Sequence, residues 1–311
     1  MRILVSMPAD DVTPVAALIG AALPDADVDT FRGSAMPNGH AADYVVTGYG
    51  DATIFDRERA MKAIFTLSAG VGHLLALPNL PHDVPVIRLE DAGMTGQMVR
   101  YVLASVLRFS QRFDVYAAQQ RSRTWKQLAP RMPQALHAGV LGMGVIGGAI
   151  ARALAAQGFA VRGFSRTRRG IEGIRCHAGA GELDEFLQGL DVLVAILPLT
   201  PQSEGILDRR ALERLADGAH VINIGRGGLL VEGDLLALLD SGKLSGATLD
   251  VFRDEPLPDD HPFWQRPAIT VTPHIAGVTL PDEAVAQIAD KIRRIEGGLP
   301  VSGIVDRQRG Y

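Results

Sequence analysis

The sequence has one cysteine, Cys176, and no apolar run long enough to cross a membrane. A single cysteine cannot form an internal disulfide, which excludes a disulfide-stapled domain and is typical of a reducing compartment. The apolar stretch Val192–Leu199 is far shorter than the ~18 residues of a membrane-spanning helix. The segment Met1–Asp10 holds too short an apolar run for a signal peptide. We therefore expect a soluble, cytoplasmic protein without a membrane partner.

The sequence also has no excess of basic residues: it contains 31 Lys and Arg and 35 Asp and Glu, which gives a net charge of −4. This balance argues against nucleic acid as a partner. No histidine or cysteine pair has metal-ligand spacing, so we predict no metal site. The hydrophobic content of 47% excludes disorder as the main state. The length of 311 residues exceeds the ~250–300 residues at which chains usually split, so we expect two domains.

The chain alternates short β-rich runs with helical patterns, which is typical of parallel α/β sheets. The largely apolar segment Thr95–Arg112 predicts a helix that leads from one domain to the next. Two series of strands are predicted. The first comprises Ile3–Ser6, Tyr44–Thr47, Ala63–Leu67 and Val86–Arg88, and the second comprises Ala138–Leu141, Ala160–Ser165, Val192–Leu197, His220–Ile224, Ala247–Val251 and Thr270–Thr272.

The order of these segments predicts the domain organisation. The second series matches a Rossmann-type doubly wound parallel sheet, to which we assign residues 96–284. The last predicted helix, Asp282–Glu296, follows after that sheet is complete, so the tail Val301–Tyr311 should pack on the first domain. We therefore expect a smaller, discontinuous, flavodoxin-like α/β domain of residues 1–95 and 285–311.

A glycine-rich turn follows the first strand of the second series. Gly142 allows a tight turn, Gly144 lets the backbone approach a pyrophosphate, and Gly147 lets the following helix pack on the strand. The phosphates would meet free N–H groups at the start of that helix. Structural glycine loops and the loops of S-adenosylmethionine methyltransferases remain alternatives. The predicted dinucleotide-binding residues are Gly142, Met143, Gly144, Val145, Ile146 and Gly147.

The end of the next strand indicates which dinucleotide binds. An NAD site would carry Asp or Glu there for the ribose 2′-hydroxyl, whereas this chain has Ser165, Arg166 and Arg168. A hydroxyl and guanidinium groups can bind a 2′-phosphate that a carboxylate would repel. We predict NADP(H), with NAD(H) possible at lower preference, and residues 96–284 are then the NADP-binding domain. A solvated basic loop is the alternative.

Three candidate catalytic residues follow later predicted strands: Arg226, Glu255 and His274. Taken singly, Arg226 could be a surface cation, Glu255 a turn carboxylate before Pro256, and His274 a core histidine. Their joint occurrence, in this order downstream of the glycine motif, favours a catalytic role. The guanidinium of Arg226 can hold a carboxylate and polarise a carbonyl oxygen, and His274 can donate a proton as the imidazolium. A neighbouring Glu255 would raise the pKa of His274 by favouring its charged form.

With these motifs, the sequence resembles the D-isomer-specific 2-hydroxyacid dehydrogenase family over essentially its whole length. The resemblance is carried by Asp250–Pro258 (DVFRDEPLP), Thr272–Ala276 (TPHIA), the loop Ser165–Arg168 and the tail Val305–Tyr311. It is greatest to the glyoxylate/hydroxypyruvate reductase A branch. The resemblance implies a homodimer and a substrate-binding domain in residues 1–95 and 285–311.

The resemblance also implies supporting roles. Backbone N–H groups of Gly70, Val71 and Gly72 would bind the substrate carboxylate, although the family commonly has Asp in place of Gly72. Tyr49 belongs to the region that would select the substrate side chain. Trp125 would either approach the active site of a partner subunit or only pack in a subunit or domain interface. Further cofactor contacts are expected from Leu197, Pro198, Ile224, Asp250, His274 and Gly277.

The leading hypothesis is NADPH-dependent reduction of small 2-oxo acids, with glyoxylate and hydroxypyruvate as the expected substrates. The same fold could instead oxidise another D-2-hydroxy acid. A third reading is a non-enzymatic, dinucleotide-sensing corepressor-like protein. The Arg226, Glu255 and His274 set favours an enzyme.

Overall fold

The computed structural model describes residues 1–6, 13–31, 41–48, 52–68, 70–308 and 310. Tyr49, Ala69 and Tyr311 lie outside the described residues. The strands are β1 Arg2–Ser6, β2 Asp27–Phe31, β3 Tyr44–Thr47, β4 Ala63–Thr66, β5 Val86–Ile87, β6 His137–Leu141, β7 Ala160–Ser165, β8 Arg175–Ala178, β9 Val192–Ala195, β10 Ala219–Asn223, β11 Leu244–Leu249 and β12 Ile269–Val271. The helices are α1 Thr13–Ala22, α2 Ile54–Arg57, α3 Gly72–Leu75, α4 Met94–Ser110, α5 Phe113–Arg121, α6 Val145–Ala156, α7 Leu183–Leu187, α8 Arg209–Glu213, α9 Glu232–Asp240 and α10 Pro281–Glu296.

The chain divides into two compact units. The first comprises Met1–Met94 and Thr279–Tyr311, and the second comprises Thr95–Val278. The sequence-based boundary lay at residue 284, whereas residues 279–284 group with the first unit. The physical reason is that α10 is one continuous helix whose buried face packs in the first unit's core and against α1. None of the helices in the described ranges has both the length and the apolarity that a bilayer crossing requires.

The first unit is built on a parallel five-stranded sheet in the order β2-β1-β3-β4-β5. This is the flavodoxin-like order, with helices covering a sheet whose central strands are buried along their whole length. The edge strand β2 (DVDTF) was missed by the sequence analysis. Its two aspartates disfavour a strand, and it forms because it pairs in register with β1, Ile3 opposite Val28.

The second unit is built on a parallel seven-stranded sheet in the order β12-β11-β10-β9-β6-β7-β8. The strand order reverses between β6 and β9, as it does in a Rossmann-type doubly wound sheet. The predicted α/β fold class is therefore confirmed. The strand β8 was missed because its sequence, RCHA, is short and lies among glycines. It contains Cys176, a buried free thiol.

Two predicted strands end two residues earlier than expected, and this bears on the predicted cofactor contacts beside them. The strand β9 ends at Ala195 and β11 ends at Leu249. Leu197 and Pro198 therefore follow the sheet, and Asp250 begins a loop. Because all strands of this sheet are parallel, the loops after β6, β7, β9, β10, β11 and β12 lie at one edge, which we call the carboxyl edge.

Candidate active site

The glycine turn after β6 forms a cradle at the start of α6. Gly142 has φ +121°, and a side chain there would come within 2.8 Å of the carbonyl oxygen of Ile196. A side chain on Gly147 would overlap the carbonyl oxygen of Gly142, so the helix can pack here only without one. A Cβ on Gly144 would meet nothing within 4 Å. The turn is therefore closed towards the protein and open at Gly144.

This open side fits a dinucleotide pyrophosphate. The N–H groups of the first turn of α6 have no acceptor within the helix, and the helix dipole favours an anion there. Val145, at the first helical position, is 73% exposed. Met143 is buried, and a side chain on Gly163 would lie 2.6 Å from its sulfur. Met143 thus packs under the turn, and only its backbone can face a cofactor.

The loop after β7 carries the residues predicted to bind a 2′-phosphate. The Ser165 hydroxyl donates to the carbonyl of Thr167 (2.8 Å). Arg166 and Arg168 are exposed. The guanidinium of Arg168 donates to the carbonyl of Cys176 (2.8 Å) and to the carboxylate of Glu182. Glu182 was not predicted, because its only sequence signal is an acidic residue before a short helix, distant from the loop that it contacts.

His274 and Glu255 form a hydrogen-bonded pair. The Nδ1–H of His274 donates to Oε2 of Glu255 across 2.8 Å, and Oε1 of Glu255 accepts the N–H of Phe252 (2.8 Å). The backbone contact fixes the carboxylate, and the carboxylate fixes the imidazole. Among the described residues nothing binds Nε2 of His274, whose side chain is 42% exposed. This nitrogen can therefore serve a ligand.

The loop of His274 is held by Asp250, which is 1% exposed. Oδ1 of Asp250 accepts the Thr272 hydroxyl (2.6 Å) and the Ile275 N–H (2.8 Å), and Oδ2 accepts the Ala276 N–H (2.8 Å). The Asp250 carbonyl accepts the His274 N–H (2.9 Å). These bonds hold His274 in a left-handed conformation with φ 56°, which is strained for a residue with a side chain. Asp250, which was predicted as a cofactor contact, thus shapes the loop that carries His274.

Helix α4 supports the same loop, which the sequence analysis missed. Because the Thr272 hydroxyl donates to Asp250, the Tyr101 hydroxyl donates to Thr272 (2.6 Å). Burial raises the pKa of Tyr101 to about 12, so this hydroxyl keeps its proton at neutral pH. Gln97 donates to the carbonyl of Val278 (2.8 Å) and accepts its N–H (3.3 Å). The loop is therefore tied at both of its ends.

The loop after β10 positions Arg226. The Asn223 side chain accepts the Gly225 N–H (3.1 Å) and donates to the Arg226 carbonyl (3.0 Å), which closes the turn. The guanidinium donates to the Gly225 carbonyl (2.7 Å) and pairs with no carboxylate in the described part of the chain. A side chain on Gly227 would overlap the backbone of Phe252. The Arg226 loop therefore lies directly against the loop that holds Glu255.

The same close packing links Arg226 to the glycine turn. Ile196, after β9, contacts the Cβ positions of Gly142 and Gly147. A Cβ on Gly225 would lie 3.2 Å from the Cα of Ile196 and 2.9 Å from the carbonyl oxygen of Leu197. Backbone contacts thus run without a break along the carboxyl edge, from the cofactor cradle through the arginine loop to the His274–Glu255 pair.

The other predicted cofactor contacts lie on this edge with different exposure. Ile224 is 3% exposed, and its N–H donates to the carbonyl of Ala195 (3.1 Å). Leu197 and Gly277 are half-buried, and Pro198 is exposed. The buried side chain of Ile224 packs in the protein, so only its neighbours offer surface to a ligand.

The predicted substrate loop belongs to the first unit. It follows β4, where the Ser68 hydroxyl donates to the carbonyl of Gly70 (2.7 Å) and Val71 is buried at the start of α3. A Cβ on Gly72 would meet nothing within 4 Å. The Cβ of a larger residue, such as the aspartate expected here from the resemblance, would therefore meet no obstruction. Tyr49, predicted near the substrate, is outside the described residues.

The glycine cradle fits a dinucleotide, and the same sheet edge carries a histidine–carboxylate pair and an arginine that pairs with no carboxylate among the described residues. Together these features define a dinucleotide-dependent oxidoreductase. The family model described as D-isomer specific 2-hydroxyacid dehydrogenase, NAD binding domain, matches residues 103–276. The chain belongs to the D-isomer-specific 2-hydroxyacid dehydrogenase family. The family and the enzyme class predicted from sequence are thereby confirmed.

Individual relatives extend this similarity over nearly the whole chain. Glyoxylate/hydroxypyruvate reductase A of Yersinia enterocolitica is 40% identical over 295 residues, which cover 93% of each chain. A solved D-isomer-specific 2-hydroxyacid dehydrogenase of Xanthobacter autotrophicus Py2, in complex with NADPH and MES, is 39% identical with a TM-score of 0.94, covering 100% of this chain and 99% of that one. The NADPH-dependent glyoxylate/hydroxypyruvate reductase of Sinorhizobium meliloti, in complex with NADP and sulfate, is 36% identical with a TM-score of 0.92 and the same coverage.

Proposed function

We propose that this protein reduces small 2-oxo acids, glyoxylate and hydroxypyruvate among them, to 2-hydroxy acids with NADPH. The observation that carries the proposal is the continuous packing of the glycine cradle, the Arg226 loop and the His274–Glu255 pair along one sheet edge. Relatives named glyoxylate/hydroxypyruvate reductase A, at about 40% identity, support the substrate class.

The cofactor, when bound, supplies the hydride that the ketone carbon accepts. His274 then donates the proton to the carbonyl oxygen from Nε2, while Glu255 accepts the Nδ1–H and orients the ring. The backbone-anchored carboxylate gives the ring one fixed orientation, and Nε2, to which no described residue is bonded, can face the substrate. His274 is thus proposed as the general acid and Glu255 as the residue that orients it.

Arg226 is proposed to bind the substrate. Its planar guanidinium can hold the carboxylate of a 2-oxo acid and polarise the adjacent carbonyl, and no described carboxylate competes for it. Gly70, Val71 and Gly72 are proposed as further carboxylate-binding positions through their backbone N–H groups.

The preference for NADPH is proposed from the loop after β7. This loop contains Ser165, Arg166 and Arg168. The end of β7 lacks the carboxylate that would accept hydrogen bonds from the ribose of NAD. The relatives from Xanthobacter and Sinorhizobium were solved with NADPH or NADP. NAD(H) is proposed to bind at lower preference, because it lacks the phosphate that the arginines would hold.

A homodimer is proposed from the apolar surface of α5 and the segment that follows it. Trp125 is fully exposed, and Phe113 and Met132 are more than half exposed. Trp125 and Tyr116 also line a cavity of about 580 Å³. Size-exclusion chromatography with light scattering tests this state. We expect a dimer for the native chain, and a monomer for the native chain would contradict the proposal.

The function is tested by following the loss of reduced-nicotinamide absorbance, with NADPH and NADH each offered to a panel of 2-oxo acids. We expect turnover with glyoxylate and hydroxypyruvate and a higher kcat/KM with NADPH. A clear preference for NADH would contradict the cofactor proposal. Turnover only in the direction of oxidation, on another D-2-hydroxy acid, would favour the dehydrogenase alternative. Dinucleotide binding without any turnover would favour a corepressor-like sensor.

A further inference from the structure

We propose that Glu182 is a positioning residue that holds Arg168 for the 2′-phosphate and so sets the preference for NADPH over NADH. The inference rests on the proposed function of the loop after β7. Glu182 lies outside that loop, in the turn between β8 and α7, and it contacts neither of the catalytic residues His274 and Arg226 in the described structure.

The carboxylate of Glu182 links the loop after β7 to the edge strand β8. One carboxylate oxygen accepts an N–H of the Arg168 guanidinium, and the other accepts the Ala178 N–H at the end of β8 (2.9 Å). The second terminal nitrogen of Arg168 donates to the Cys176 carbonyl (2.8 Å). The guanidinium is thus bound at two nitrogens to β8 and its turn, and its remaining N–H groups bind nothing in the described part of the chain.

Holding the guanidinium matters because the side chain is 62% exposed. A long exposed arginine samples many rotamers and loses this freedom when a ligand fixes it. The contacts with Cys176 and Glu182 restrict the side chain before the cofactor arrives. A guanidinium that is already held in this way can bind a phosphate with a smaller entropic penalty.

Glu182 is charged when it does this. The Ala178 N–H, and after it the charge of Arg168, keep the pKa of Glu182 below its ordinary value. His177, whose Nδ1 lies 3.9 Å from the carboxylate, is buried, and desolvation lowers its pKa, so it is neutral at neutral pH. Arg168 is therefore the cationic partner of Glu182.

Glu182 also has an effect that opposes phosphate binding. A carboxylate near a phosphate repels it, so removal of this charge alone would strengthen binding. The Glu182 side chain is 33% exposed, so solvent and salt partly screen its charge, whereas water does not restore a lost hydrogen-bond geometry. We therefore expect positioning to dominate, and the direction of the change in affinity distinguishes the two effects.

The test measures binding of 2′,5′-ADP and of 5′-ADP to the full-length protein by isothermal titration calorimetry, without turnover. The variants are Glu182→Gln, Arg168→Ala and their combination. Glu185→Gln is the matched control, because Glu185 forms an exposed ion pair with Arg175 in the same β8–α7 region. We expect Glu182→Gln to weaken 2′,5′-ADP about five- to twentyfold and to leave 5′-ADP and the control unchanged.

Two further results are expected. In the Arg168→Ala background, Glu182→Gln should have no additional effect on 2′,5′-ADP, because the residues act through one contact. In steady-state assays Glu182→Gln should raise the KM for NADPH without lowering kcat. Should this variant not fold, Glu182→Asp carries the same prediction, because it keeps the charge but is too short for both hydrogen bonds.

The outcomes separate the inference from the proposed function. If Arg168→Ala leaves the ratio of the two affinities unchanged, the 2′-phosphate site itself is wrong. If Arg168→Ala lowers this ratio but Glu182→Gln does not, the positioning role alone is wrong. Equal weakening of both nucleotides would show a general structural role, and tighter binding of 2′,5′-ADP would show that charge repulsion dominates. Either of these results would overturn the inference.

Discussion

Replacing Asp250 by asparagine should destabilise the loop that carries His274. The amide oxygen can keep the Thr272 hydroxyl and the Ile275 N–H, but the amide nitrogen then faces the N–H of Ala276, which is 2% exposed. Loss of this hydrogen bond to a charged group, which leaves the buried N–H of Ala276 without an acceptor, costs ~1.5–3 kcal/mol. We expect a loss of this size in the free energy of unfolding.

Urea unfolding measures this loss, and steady-state kinetics measures its consequence for catalysis. A displacement of the catalytic group by about 1 Å lowers turnover by ~10²-fold, so kcat should fall together with stability. Asp240→Asn is the control, because Asp240 forms an exposed ion pair with Arg266 in the same unit and should change stability by less than ~0.5 kcal/mol. If Asp250→Asn were as stable as this control and kept its kcat, the role assigned to Asp250 would be refuted.

Four further predictions concern single sites. His274→Gln should lower kcat by ~10²–10⁴-fold, and near-normal turnover would rule out the proton-donor role. Arg226→Lys should lower kcat/KM for the 2-oxo acid with little effect on dinucleotide affinity, since a point charge cannot replace a planar fork; a matching loss of dinucleotide affinity in titrations would argue against substrate binding. Gly144→Val should weaken dinucleotide binding at an unchanged Tm, whereas Gly147→Ala should lower the Tm; the reverse pattern would contradict the cradle. Burial lowers the pKa of His220 to about 4, below its ordinary 6.5, so the unfolded chain binds the proton more readily than the folded chain. The free energy of unfolding should therefore fall as the pH drops from 6.5 towards 4. In urea unfolding at a series of pH values, His220→Gln should reduce this dependence on pH, and an unchanged dependence would contradict the prediction.

Much of the fold could be predicted because the signals are local. The central strands of both sheets are apolar runs flanked by turns, and the structure contains each of them within a few residues. The edge strands β2 and β8 were not predicted, since DVDTF and RCHA carry little β signal of their own. They become strands only because β1 and β7 present unpaired backbone groups beside them.

The candidate site could likewise be predicted only in part. The residue types of Arg226, Glu255 and His274 could be selected from motifs, but their supporting contacts could not. Tyr101 and Thr272 are 171 positions apart, and their hydroxyl contact exists because α4 packs beside the end of β12. No periodicity in either segment indicates that contact.

The amino-acid sequence by itself determined the glycine turn, because the positive φ of Gly142 and the close contact of Gly147 with the Gly142 carbonyl act within one strand–turn–helix unit. It also determined the absence of an acidic residue at the end of β7. Only the tertiary structure decided that Glu182 would hold Arg168 and that Asp250 would hold the loop of His274. Hydrogen bonds between distant segments depend on which strand ends the sheet order brings together, and that order is a property of the whole packed domain.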